Sequence, residues 1–232
     1  MSLSERIVVC EACPRLVAHR EEVARVKRRA YLAEIYWGKP LPTFGAAQPR
    51  LLVVGLAPGN HGANRTGRVF TGDSSGDWLY QALHEHGFAN RAESVRADDG
   101  LVLTGAAVNC VLRCAPPQNK PARDELERCR PFLVEEIAGY HDLRVVVALG
   151  RIAFDGFRKA WRSLERPEFD PKPVFGHGAE CRSGGVALLA SYHPSRQNTQ
   201  TGRLTRRMLD TVVRRACRLA KNPLTPAGGV AR

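Results

Sequence analysis

Four short stretches of the chain are almost continuously apolar: Leu51 to Leu56, Val102 to Val108, Arg144 to Leu149 and Val186 to Ala190. Runs of this length without polar alternation predict strands buried on both faces. Between and after them the apolar spacing turns helical, over about Gly76 to His86, Arg123 to Ala138, Ile152 to Leu164 and Leu204 to Ala220. An earlier helix is expected from about Pro14 to Arg29. Buried strands alternating with helices predict an α/β fold, a three-layer α/β/α sandwich around a central four-stranded, mainly parallel sheet. Ligands of such sheets bind beyond the carboxyl ends of the strands. One domain is expected over residues 1–221, followed by a Pro/Gly-rich segment, 222–232, that reads as a flexible tail.

Charge changes the picture more than composition does. With 35 Lys and Arg against 23 Asp and Glu, the 232-residue chain carries +12 at neutral pH. Such an excess favours a polyanionic partner, because phosphates attract the cations and release their counterions. No apolar run approaches the ~20 residues that span a bilayer. The apolar stretch before Cys10 is too short for a secretion signal, so a cytoplasmic protein without membrane contact is expected. Seven cysteines, an odd number, then argue for metal binding or catalysis rather than a disulfide framework.

Cys10 and Cys13 form a C-x2-C pair ahead of the first long predicted helix, and Cys114 and Cys129 flank a Pro-rich loop and a helix start. Four thiolates converging from two distant segments suit zinc or an iron–sulfur cluster. Cys110, Cys181 and Cys217 fall in or near predicted buried elements and read as small core residues. The first strand runs into a long loop rich in Gly and polar groups, Gly55 to Asp73, that lets backbone approach a ligand. It has neither the Lys-Ser/Thr of a phosphate loop nor a dinucleotide turn. The last strand ends in Ser191-Tyr192-His193-Pro194, which points an imidazole into the crevice.

The segments GLAPGNHGANRTGRVFTGD, RCAPPQNKP and SYHPSRQNTQTGRLT, in this order, resemble the three signature segments of the family 5 (type b) uracil-DNA glycosylases, the iron–sulfur branch of the uracil-DNA glycosylase superfamily. The resemblance spans Cys10 to about Ala220. It implies a base-excision-repair enzyme that hydrolyses the N-glycosidic bond of uracil in single- or double-stranded DNA, leaves an abasic site, and works as a monomer. By the same likeness Cys10, Cys13, Cys114 and Cys129 would hold a [4Fe–4S] cluster. Phe70 would stack on the extruded base, Asp73 would activate or steer water, Asn119 would read the polar edge of the base, and His193 would face its carbonyl. Gly55, Leu56, Ala57, His61 and Asn64 complete the expected binding set. Cys110 stands four residues before Cys114, where relatives carry a base-reading Asn, which implies a less selective pocket open to hypoxanthine and other deaminated bases.

These residue types suit that chemistry. Breaking the bond places positive charge on the sugar, which a carboxylate stabilises, and negative charge on the departing base, which needs donors at its carbonyl. No lysine stands in the motifs as a Schiff-base nucleophile, Lys120 being the nearest, so a monofunctional enzyme using water is expected. Taken without the resemblance, Asp73 reads as a helix N-cap and Asn119 as a turn residue. A non-catalytic, cluster-bearing DNA-binding or redox-sensing protein on the same fold is the alternative.

Overall fold

The computed structural model describes residues 1–221, and the tail expected at 222–232 lies outside the described residues. Two helices open the chain, α1 (Leu3–Val8) and α2 (Pro14–Val26), followed by strands β1 (Phe44–Gly45) and β2 (Leu51–Gly55), a one-turn helix α3 (Ala63–Thr66), and α4 (Ser74–Glu85). Strand β3 (Ala106–Cys110), α5 (Arg123–Gly139), β4 (Val145–Leu149) and α6 (Arg151–Arg162) continue the alternation. The hairpin β5 (Glu180–Ser183) and β6 (Val186–Ser191), then α7 (Arg196–Gln200) and α8 (Arg206–Lys221), complete it.

The strands form one sheet in the order β1-β3-β2-β4-β6-β5. The inner four, β3, β2, β4 and β6, are mutually parallel, as the apolar runs imply. The sheet has six strands rather than four because β1 and β5 add short antiparallel edges. Alternation within each inner strand divides the core. Leu51, Val53, Val145, Val147 and Leu189 pack against α4 and α8, while Leu52, Val54, Val146, Ala148 and Leu188 pack against α5 and α6. Side chains that read as an undivided apolar run thus serve two cores, giving the three layers.

Two boundaries differ instructively. The strand expected from Val102 starts only at Ala106, because Gly105 (φ +65°) turns the chain and Leu103 pairs with Ala89 instead. It then runs on through a buried Asn109, whose amide donates to Glu136 at 2.8 Å, so a polar residue continues the strand where polarity suggested its end. Helix α2 stops three residues early, at Lys27, where φ is +58°.

Candidate active-site cleft and cysteine cavity

Beyond the carboxyl ends of β2 and β6 lies a cleft of about 960 Å³. Its walls include Leu56, Ala57, His61, Phe70, Asp73, Asn119 and His193, so seven expected residues from three separate segments share one space. The loop from Gly55 to Asp73 is held from behind. The Tyr80 hydroxyl donates to the Val69 carbonyl at 2.8 Å, and Arg68 forms a buried ion pair with Asp99 at 2.6 Å. Phe70 takes a left-handed conformation (φ +52°), and its carbonyl lies where a Cβ on Gly76 would come within 1.9 Å. A glycine in the first turn of α4 is therefore what lets Phe70 turn into the cleft. Its ring rests over Gly55, where a Cβ would come within 2.7 Å of it.

Asp73 caps α4: Oδ1 accepts from the N–H groups of Ser75 (3.0 Å) and Gly76 (3.1 Å). Oδ2 takes no hydrogen bond from the described residues and faces Gly59 and Gly62, where added Cβ atoms would lie 3.1 and 2.2 Å from it. One oxygen fixes the helix and the other is presented to the cleft. Burial pushes this carboxyl above its ordinary value, opposed by the two backbone N–H groups and by Arg196 and Arg65.

His193 stacks on Phe70, with ring centroids 5.6 Å apart and planes 30° apart. Its backbone is fixed by the Asn198 amide, which donates to the His193 carbonyl at 2.8 Å. Burial lowers its pKa to about 4, so the ring is neutral at physiological pH and offers a neutral N–H. His61 lies across the cleft with Nδ1 3.1 Å from the Tyr36 hydroxyl, and burial with Arg28 and Arg65 lowers its pKa too. Asn119 is exposed at the cleft edge in a left-handed conformation (φ +57°).

Two expected residues lie elsewhere. Gly55 is the buried end of β2, underneath the Phe70 ring and not on the cleft surface. Asn64 is only 1% exposed and turned away: its amide donates to the Arg20 carbonyl at 3.3 Å, tying α3 to α2. Cys110, 2% exposed, is likewise beneath the floor. Other wall residues carried no signal that singled them out: Arg196 and Gln197, inside the third motif, and Arg28, Tyr31 and Glu34, from a segment with no motif.

Cys10, Cys13, Cys114 and Cys129 line a second, smaller cavity whose remaining walls include Leu16, Leu112, Pro40 and Phe132. Two donors address its sulfurs. The Arg113 backbone N–H reaches Cys129 Sγ at 3.3 Å, and the buried Arg20 guanidinium reaches Cys114 Sγ at 3.4 Å. Burial pushes the Cys129 thiol up to about 12 and raises Cys13 and Cys114, so thiolates here require a cationic partner. Among the described residues no three His, Cys, Asp or Glu side chains are grouped for a single ion. Cys110, Cys181 and Cys217 are buried in the core.

A mainly parallel α/β sheet with a cleft at its carboxyl edge, lined by a partly desolvated carboxylate, a neutral histidine and an aromatic ring, has the arrangement of an α/β enzyme. The sequence profile described as the uracil DNA glycosylase superfamily matches residues 42–216. A type-5 uracil-DNA glycosylase of Mycobacterium tuberculosis is 52% identical over 223 residues, covering 94% of this chain and 81% of its own. One of Thermus thermophilus is 47% identical, covering 93% and 96%, and a type-4 uracil-DNA glycosylase of Pyrobaculum aerophilum is 29% identical, covering 69% and 74%. The chain belongs to the uracil DNA glycosylase superfamily.

Proposed function

We propose that this DNA glycosylase acts in base excision repair by hydrolysing the N-glycosidic bond of uracil and other deaminated bases, hypoxanthine among them, to leave an abasic site. The observation that carries the reading is the single cleft in which Phe70, His193 and the free oxygen of Asp73 meet. An extruded base slides against the Phe70 ring, which offsets part of the unstacking energy. His193, neutral down to about pH 4, donates to the base carbonyl as negative charge builds there. Being uncharged, it stabilises that anion as a dipole and does not need to hand over a proton. Asp73 Oδ2 orients water and stabilises the cationic sugar, with the DNA phosphates contributing.

Asn119, on a left-handed turn at the cleft edge, reads the polar edge of the base. Cys110 is beneath the floor and not an amide at the base edge, which supports a tolerant pocket. The non-catalytic alternative is not favoured, since the relatives above are named as glycosylases. The enzyme is taken to act as a monomer on single- and double-stranded DNA. No helix among the described residues is long and apolar enough to cross a membrane.

We also propose that Cys10, Cys13, Cys114 and Cys129 hold a [4Fe–4S] cluster. The donor set fits: four thiols line one mostly apolar cavity, and two N–H donors aim at sulfurs. Bound there, the cluster would cross-link the N-terminal segment to the loop after β3, a structural service. The experiment is incubation with duplex DNA carrying one uracil, then alkaline cleavage of abasic sites. A nick that vanishes with His193→Ala supports the reading, and an intact strand overturns it. Uncleaved inosine DNA beside cleaved uracil DNA would remove the broad substrate range.

A further inference from the structure

Helix α2 has two buried residues, Leu16 and Arg20, and both lie on the side it turns to the cysteines. Leu16 is part of the cavity wall, as the apolar stripe of a helix requires. Arg20, one turn further on, breaks that stripe with a charge. It is 3% exposed, and its guanidinium donates to the Cys10 carbonyl at 3.3 Å and to Cys114 Sγ at 3.4 Å. Its Nε is buried and has no partner among the described residues. A cation out of water is costly unless an anion compensates it. The carboxylate beside Arg20, that of Glu21 at 3.8 Å, is 60% exposed and screened by water.

The other arginines of this region are balanced differently. Arg113 is buried next to Cys114 in sequence, but the buried carboxylate of Glu136 neutralises it. Arg128, close to Cys13, is exposed and paired with Asp124. Arg20 therefore stands apart as a buried charge whose closest buried acceptor is a cysteine sulfur. We propose that Arg20 is the fixed counter-cation of the four-cysteine site, donating to Cys114 Sγ and biasing the bound cluster toward its reduced state. A cluster on four thiolates is an anion, and one added electron makes it more negative, so a nearby fixed cation stabilises the reduced form more than the oxidised one. Burial keeps water and salt from screening that attraction. Cys13 caps α2 and Arg20 follows it by two turns, so one helix carries a ligand and the compensating charge together.

The inference rests on the cluster reading, and the test separates the two. Wild-type, Arg20→Gln, Arg20→Lys and Arg128→Gln proteins are purified without oxygen, and their iron content and visible absorbance are compared. Each is then titrated with dithionite in the presence of redox mediators, the reduced fraction being read from the bleaching of the visible band and from the electron paramagnetic resonance signal. At the wild-type midpoint, Arg20→Gln is expected to hold about tenfold less reduced over oxidised cluster, a midpoint lower by about 59 mV for one electron. Arg20→Lys, which keeps the charge, and Arg128→Gln, which removes an exposed one, should each stay within about threefold of wild type. Loss of the cluster from Arg20→Gln beside a full cluster in Arg20→Lys supports the same assignment. An unchanged midpoint in Arg20→Gln, an equal shift in Arg20→Lys or in Arg128→Gln, or loss of the cluster from both Arg20 variants overturns it. Wild-type protein without bound iron or visible absorbance overturns the cluster reading instead.

Discussion

The cleft and the cysteine cavity stand near one another at the carboxyl edge of the sheet, yet they are stabilised in opposite ways. In the cleft each candidate group is held by local contacts that need no ligand: Asp73 by hydrogen bonds in the first turn of α4, His193 by one from Asn198, Phe70 by close packing on Gly55 and Gly76. Around the cysteines the small core of Leu16, Leu112 and Cys129 is slight, and the thiols are desolvated with few donors directed at them. A preorganised site tolerates loss of one reacting group without unfolding, whereas a site with little core of its own and four thiols in its walls depends on its occupant.

The sharpest way to break this contrast is His193→Ala. It should lower kcat about 10²–10³-fold, as loss of a preorganised donor does, while the melting temperature stays nearly unchanged. A large loss of stability would mean that the ring is a core element. Cys13→Ser should do the reverse. The visible absorbance of the proposed cluster should fall and the melting temperature should drop by roughly 5–10 °C, with activity declining because the fold around the cleft loosens. A serine variant that keeps full stability would remove the structural role.

Asp73 sharpens the comparison, because its two oxygens divide the labour. Asp73→Asn keeps a capping side chain, so stability should hold while activity falls at least tenfold. Asp73→Ala should lose a comparable activity and in addition about 1 kcal/mol of stability, read as a shifted denaturation midpoint. Equal activity in wild type and Asp73→Asn would leave the residue as a cap alone.

The smallest effect concerns pH. His193 titrates near 6.5 when unfolded and near 4 in the fold, so the folded state binds its proton less readily. Its contribution to stability is complete above pH 6.5 and is lost as pH falls towards about 4. Melting temperature should therefore decline over that window less steeply in His193→Asn than in wild type. Activity should show no inflection near 6.5 from this histidine, and a clear one that disappears in His193→Asn would contradict its neutral state.

The inner sheet was legible because each strand is apolar over most of its length and turns are marked by nearby Gly or polar residues, a local signal. The cysteine spacing and the His-Pro and Gly-rich loops were legible for the same reason. Strands β1 and β5 were not, since two to four residues carry too little pattern and exist by pairing with β3 and β6. The start of β3 was missed because Gly105 redirects an apolar run whose first residues pair elsewhere.

By itself the sequence determined the layer order, the buried strands and the chemical types gathered in three motifs. Only the tertiary structure decided which of those residues share a space. It placed Asn64 against Arg20 and Gly55 beneath Phe70, and it brought Arg28, Tyr31 and Glu34 across to the cleft. The physical reason is range. Apolar periodicity and turn chemistry act over a few residues, whereas a hydrogen bond from α3 to α2, or an ion pair from Arg65 to Glu34, forms only after the sheet has brought distant segments together.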